Sequence, residues 1–261
     1  MPSHYTHYRF GNRVLALLPA EVQKSVKRFP RLYDVGLQGP DPFFYYNILM
    51  NTPVGDLGKK YHRLTGAEFF TQACRRYRLE PTEGGKAYLY GLLGHYCLDS
   101  LVHPEITRIT EPGIIGHTEL ETEFDRFLLA SDGNPNPRSF NGSRYLKLSK
   151  GECDTAAKFF PPATGAQMER AVGNMAALVT WLASDRGLAK WSLEGAIRLT
   201  GDTFSGFVRH NHPNPNCAHL NERLLNLYDQ AVSRYPEMAR QLGAHLSHNA
   251  PFEEAFTASF G

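Results

Sequence analysis

Long apolar runs are missing from this chain. None approaches the roughly 18 consecutive residues that a membrane-crossing helix needs, so no transmembrane segment is expected. An excess of charge of one sign is missing too. The 28 Lys and Arg nearly balance 26 Asp and Glu, leaving a formal charge of +2, too little field for a non-specific grip on nucleic acid or anionic lipid. Cysteine is scarce: Cys74, Cys97, Cys153 and Cys217 are far apart and form no Cys-x-x-Cys pair. The opening residues Met1 to Phe10 hold no apolar stretch ahead of a small-residue cleavage site. Reduced, packed thiols and a cytoplasmic location are therefore expected. Alternating β-branched runs are few, and neither an internal repeat nor a low-complexity tract is present.

What the chain does have is helical periodicity and histidine. Its 261 residues are 42% hydrophobic, ample for a buried core. Short helices are predicted over 11–18 and 20–28, separated by Pro19. Residues 31–57, rich in Gly and Pro, read as loop, and 59–79 as one long helix with an apolar stripe through Leu64, Ala67, Phe70 and Cys74. A helix over 84–103 should end at Pro104, and another should run over 116–129. Residues 132–165 read as an excursion opening on Asn- and Pro-rich loop chemistry. Further helices fit 167–183, 188–208, 220–233 and 237–245. These spans predict an all-α, multi-helix bundle forming one unit over 1–261, with the chemistry in 4–130 and further helices in 165–261.

Eleven histidines are the unusual component, because imidazole is the commonest protein metal ligand and general base. His95, Asp99 and His103 are spaced i, i+4, i+8. On a helix the first two share a face and the third is only about 80° away. Leu92, Leu98, Leu101 and Val102 surround them, so this face is not a solvated polar one. Fourteen residues beyond His103 comes a second i, i+4 pair, His117 and Glu121, after a reversal at Pro112-Gly113. Two antiparallel helices would converge three imidazoles and two carboxylates, a donor set that suits Zn²⁺. A chance His-x3-Asp-x3-His occurs in roughly 2% of chains of this size and composition, before the downstream pair is added. His-Glu-x-x-His and Glu-x-x-His patterns are absent.

These residues resemble the zinc-dependent phospholipase C family, with the S1/P1 single-strand nucleases as more distant relatives of the same helical fold. The resemblance extends over about residues 4–130. Its pattern also places a His near the start, an Asp in a loop and a His on the next helix, which His7, Asp41 and His62 match in order. The resemblance implies two or three zinc ions. Asp41, His62, His95 and Asp99 would hold one; His103, His117 and Glu121 would hold a second, exchangeable one; His7 with bridging Asp99 would hold a third. Secreted relatives complete that third set with a processed amino-terminal Trp. This chain begins Met-Pro, and His4 or the amine of Pro2 are the substitutes on offer.

The reaction implied is hydrolysis of a phosphate ester by a metal-activated water, with Asp41 as general base. The expected partner is a small phosphoester or lipid head group, with no stable nucleic acid complex. A single-strand nuclease and a non-catalytic zinc protein stand as alternatives; the modest basic residues Lys59, Lys60, Arg75, Arg76 and Arg78 read as solvated helix faces. His210, His212 and His219 sit in turn-like sequence, His245 and His248 are expected to be exposed, and Cys97 should pack. Asp125 is a candidate supporter of the ligands and Glu119 a poorer one. The aromatic run Phe43–Tyr46 reads as core or as the floor of a cleft.

Overall fold

The computed structural model describes residues 4–48, 50–200 and 206–260. Among these residues there are eleven α-helices and no strand, so the all-α expectation holds. The helices are α1 His4–Leu15, α2 Ala20–Arg28, α3 Pro30–Gly36, α4 Gly55–His62, α5 Gly66–Leu79, α6 Glu83–Thr110, α7 His117–Ser131, α8 Lys150–Ala157, α9 Gly165–Leu182, α10 Gly187–Thr200 and α11 Asn221–His248. Short 3-10 turns lie between them, including Asp41–Tyr45.

Helix α6 is the axis of the fold. From Ala87 to Ser100 every residue is buried, because apolar residues surround the helix except on the face of His95 and Asp99 and it is packed by α1, α2, α3, α5, α7, α8 and α11. On one flank α3 crosses so closely that a Cβ on Gly91 would sit 2.5 Å from the Tyr33 carbonyl oxygen. On another, α11 lies along α6, with the Tyr235 hydroxyl donating to Tyr90 O at 2.9 Å and Cys97 Sγ to Ala231 O at 3.4 Å. Cys97 packs as expected, and all four cysteines are buried thiols.

Several boundaries differ from the sequence expectation, each for a physical reason. Helix α1 begins at His4 rather than Gly11, because its first backbone N–H groups are capped from another helix. Tyr5 N and Thr6 N donate to the Asp125 carboxylate of α7 at 3.3 and 2.9 Å, and the Thr6 hydroxyl donates to it at 2.6 Å. The expected helix over 59–79 is two helices. Thr65 and Glu68 form a capping box that starts α5 afresh, a Thr-x-x-Glu signal present in the sequence. Residues 31–57 are not all loop, since α3, the 3-10 turn and the start of α4 fall there. The 132–165 excursion likewise contains α8.

Pro104 does not end α6, which runs on to Thr110, and α11 passes through Pro236 to fuse the two helices expected there. A proline removes one N–H bond to the preceding turn, and burial of α6 and α11 against each other outweighs that loss. The predicted helix over 188–208 corresponds to α10; its stretch over 201–205 lies outside the described residues. No helix among the described residues is long and apolar enough to cross a membrane.

Candidate metal centre

Four helices and one 3-10 turn deliver the eight candidate residues. Helix α6 presents His95, Asp99 and His103 along one face, and α7 begins at His117 and places Glu121 one turn later. Helix α1 supplies His7, held in place by the Asp125 cap, and α4 ends on His62. Asp41 comes from the turn after α3. There Gly39, at φ +55°, brings bare backbone against the His95 ring: a Cβ at that position would lie 2.2 Å from the ring.

The structure brings these residues together in three groups: His7, His95 and Asp99; Asp41, His62 and His95; and His103, His117 and Glu121. His7 Nε2 lies 3.3 Å from Asp99 Oδ1, and His62 Nε2 lies 3.0 Å from Asp41 Oδ1. Asp99 Oδ2 lies 3.2 Å from His95 Nε2 and 3.5 Å from His103 Nε2. Glu121 Oε1 is 3.2 Å from His117 Nε2 and 3.5 Å from His103 Nε2. Asp99 thus touches three imidazoles at once.

These contacts are short but are not all hydrogen bonds. Asp41 Oδ1, His62 Nε2, both ring nitrogens of His95, Asp99 Oδ2 and Glu121 Oε2 are buried without a hydrogen-bond partner. Leaving so many polar atoms orphaned is costly unless something else satisfies them. Two donors in the tetrahedral shell of one zinc, each about 2.1 Å from it, are about 3.4 Å apart, and the contacts here span 3.0 to 3.5 Å. The set of imidazole nitrogens and carboxylate oxygens is also the one zinc takes. The residues therefore fit the ion, and three carboxylates in a buried space call for positive charge.

The electrostatics agree with that reading. Burial drives Asp99 toward its neutral form, but His95, His103 and His7 beside it outweigh burial and hold the carboxyl well below the usual range. Asp41 and Glu121 follow the same pattern: burial pushes each up, while His62 and His95, or His117 and His103, pull it below normal. Burial lowers His7 and His62, yet the neighbouring Asp99 and Asp41 leave both raised. The His117 imidazole is raised by Glu121 against a smaller effect of burial. His95 is the exception, pushed down to about 4 by complete burial despite Asp99 beside it. It is neutral and able to donate a lone pair across the physiological range.

The centre is sealed on most sides. The His117 side chain is 36% exposed, against 10% for His103 and less for the others. A cleft of about 650 Å³ opens beside it, lined by Thr118, Glu119, Thr122, His210, Asn214 and neighbouring residues. No lysine or arginine is among its described lining residues.

The remaining candidates have other employment. His4 is buried beside Asp125, Nδ1 to Oδ2 3.9 Å, and belongs to none of the three groups; Pro2 lies outside the described residues. Asp125 caps α1 and lies 3.6 Å from Arg209, and burial raises it to about 6. Glu119 caps α7 by accepting from Gly116 N at 3.2 Å, and it also accepts from Asn214 Nδ2 at 2.7 Å. His210, His212 and His219 are exposed. His245 is buried, contrary to expectation, because its Nδ1 pairs with Ala250 O at 2.7 Å and its ring stacks on Phe252; His248 is exposed. Phe43 is core, and Phe44 backs the His62 ring at 5.2 Å.

Comparison with known proteins agrees with this geometry. No curated protein and no solved structure matches the chain. A family model described as zinc dependent phospholipase C matches residues 6–167, a span that contains all eight residues of the centre. The chain belongs to the zinc-dependent phospholipase C family.

Proposed function

We propose that this protein hydrolyses a phosphate ester of phospholipid head-group type at a centre of two or three zinc ions. The observation that carries the proposal is the set of buried, unpartnered nitrogen and oxygen atoms converging at zinc-ligand spacing. Asp41, His62 and His95 would hold one ion, His103, His117 and Glu121 a second, and His7 with Asp99 a third, with Asp99 shared between neighbouring ions. When bound, zinc supplies a water of lowered pKa and positive charge for the phosphoryl oxygens.

The protein's own groups do the rest. Helix α6 fixes His95, Asp99 and His103 in one row, so the ligands need no rearrangement during the reaction. Asp41, kept ionised chiefly by the His62 ring beside it, offers a carboxylate oxygen for the proton of the attacking water. Substrate enters on the His117 side, where the cleft is, while the packed faces behind His62 and His95 exclude bulk water. The absence of lysine and arginine from the described lining favours a small head group over a nucleic acid strand, which needs a basic track with stacking aromatics.

The test is metal content followed by a substrate panel. Protein purified without added metal should carry two or three zincs per chain, and His117→Ala should carry at least one fewer. The loaded protein should release phosphorylated head group from mixed micelles of phospholipid and leave single-stranded DNA intact. Less than half an equivalent of zinc, unchanged by adding the ion, would sink the hydrolase reading. Full zinc without turnover of any phosphoester would leave a metal-binding protein.

A further inference from the structure

Metal-ligating histidines are ordinarily held in orientation by a hydrogen bond from their second ring nitrogen. His62 obeys this rule: Nδ1 lies 2.7 Å from Gly58 O, donating one turn back along α4 and pointing Nε2 at Asp41. His95 does not. Its Nδ1 is fully buried and has no hydrogen-bond partner. Something other than a hydrogen bond must set the plane of this ring, which belongs to two of the three groups.

What surrounds it is packing. The bare backbone of Gly39 lies against the ring, and the His7 ring stacks on it with centroids 4.6 Å apart. The Phe260 ring lies 6.0 Å away at 32° to its plane. Phe260 also meets His62 at 6.4 Å and 71°. It comes from a segment more than 150 residues away in sequence and well outside the family-matched span.

That segment is strapped down along its length. Gly66 N donates to Ala258 O at 2.9 Å, beside an isolated bridge between Thr65 and Ser259. The Tyr96 hydroxyl donates to Ala255 O and Ala258 O at 3.2 and 3.0 Å. Gln241 and Glu253 exchange two hydrogen bonds. Phe260 itself is fully buried, with Phe69 and Tyr96 each 4.9 Å from it.

We infer that Phe260 is a positioning residue for the metal centre: its ring, delivered by the 249–260 strap, fixes the orientation of His95 and braces His62. This rests on the zinc reading above. Removing the ring takes away one of the packing contacts that hold His95 against rotation about its χ2 angle, and no hydrogen bond from Nδ1 replaces it. Groups that orient ligands are worth about 10- to 100-fold in metal affinity.

The test compares Phe260→Ala with Phe252→Ala. Phe252 is on the same strap and packs on His245 and Phe256 but not on the centre. Zinc is titrated against a competing chelator, and the visible spectrum of the cobalt-substituted full-length chain is recorded. Phe260→Ala should weaken one class of site at least tenfold, change the cobalt spectrum and leave the class built on His103, His117 and Glu121 unaltered. Phe252→Ala should lower thermal stability without either effect, and Phe260→Leu should recover part of the affinity. Equal weakening in both alanine variants, or wild-type affinity and spectrum in Phe260→Ala, would overturn the inference. Should Phe260→Ala not fold, Phe260→Leu carries the comparison, and an unchanged cobalt spectrum there overturns it. A wild-type chain that binds neither ion fails in a different place, at the zinc reading itself.

Discussion

Asp99 has the most crowded surroundings of any side chain in the centre, with three imidazoles within 3.5 Å. Asp99→Asn keeps its shape and removes its charge. Such a variant should lose at least one zinc equivalent, read by elemental analysis after dialysis, and fall by two orders of magnitude or more in phosphoester turnover. Asp34 offers a cleaner reading of charge alone. Burial raises its carboxyl to about 7. The folded chain therefore holds a proton there that the unfolded chain gives up near pH 4, and stability at this position falls as pH rises from about 4 to 7. Asp34→Asn should be close to neutral at pH 4 and stabilising at pH 8, by at most about 4 kcal/mol because Asp34 is only half-buried, measured by denaturant unfolding at both. At this scale the sequence was most readable where chemistry is local. The i, i+4 pairs His95/Asp99 and His117/Glu121 announce themselves because helix geometry alone puts them on one face. The roles of Asp125 and His245 do not, since their partners lie 120 residues away on another helix or on a strap with no periodic pattern.

Among the elements, the contact between α3 and α6 decides where Asp41 goes. Gly36 and Gly91 let two backbones touch, and the chain leaving α3 turns directly over His95. Gly91→Ala would force a methyl into the Tyr33 carbonyl and push the helices apart. About 2 kcal/mol of stability should go with it. Zinc affinity should fall at the Asp41, His62 and His95 group while the group begun by His117 keeps its ion, as a chelator titration would resolve. Helix identity was legible for most of the chain, because amphipathic spacing and caps are local signals. Where helices pass through Pro104 and Pro236, the outcome depends on α6 packing against α11, which no window of sequence contains. The start of α1 is a sharper case: its capping carboxylate is Asp125, and nothing near residue 4 foretells it.

At the scale of the whole molecule, the centre is a concentration of buried charge that holds together only in the folded state. An ion that binds the native chain and not the unfolded one adds about 4 kcal/mol at a thousandfold excess over its dissociation constant. Stripping the metal with a chelator should therefore lower the melting temperature by about 10 °C for a chain of this size, by calorimetry with and without zinc restored. The packing of α6 carries a different consequence. Its ligand-bearing length is buried in part by α11, which begins at Asn221, whereas the family-matched span stops at 167. A fragment cut at that span would keep every candidate ligand and expose the flank where Leu224, Tyr228, Tyr235 and Leu242 now lie fully buried. The matched span of this chain is not a portable module: cut out alone it should precipitate, because α11, which lies beyond it, buries its flank.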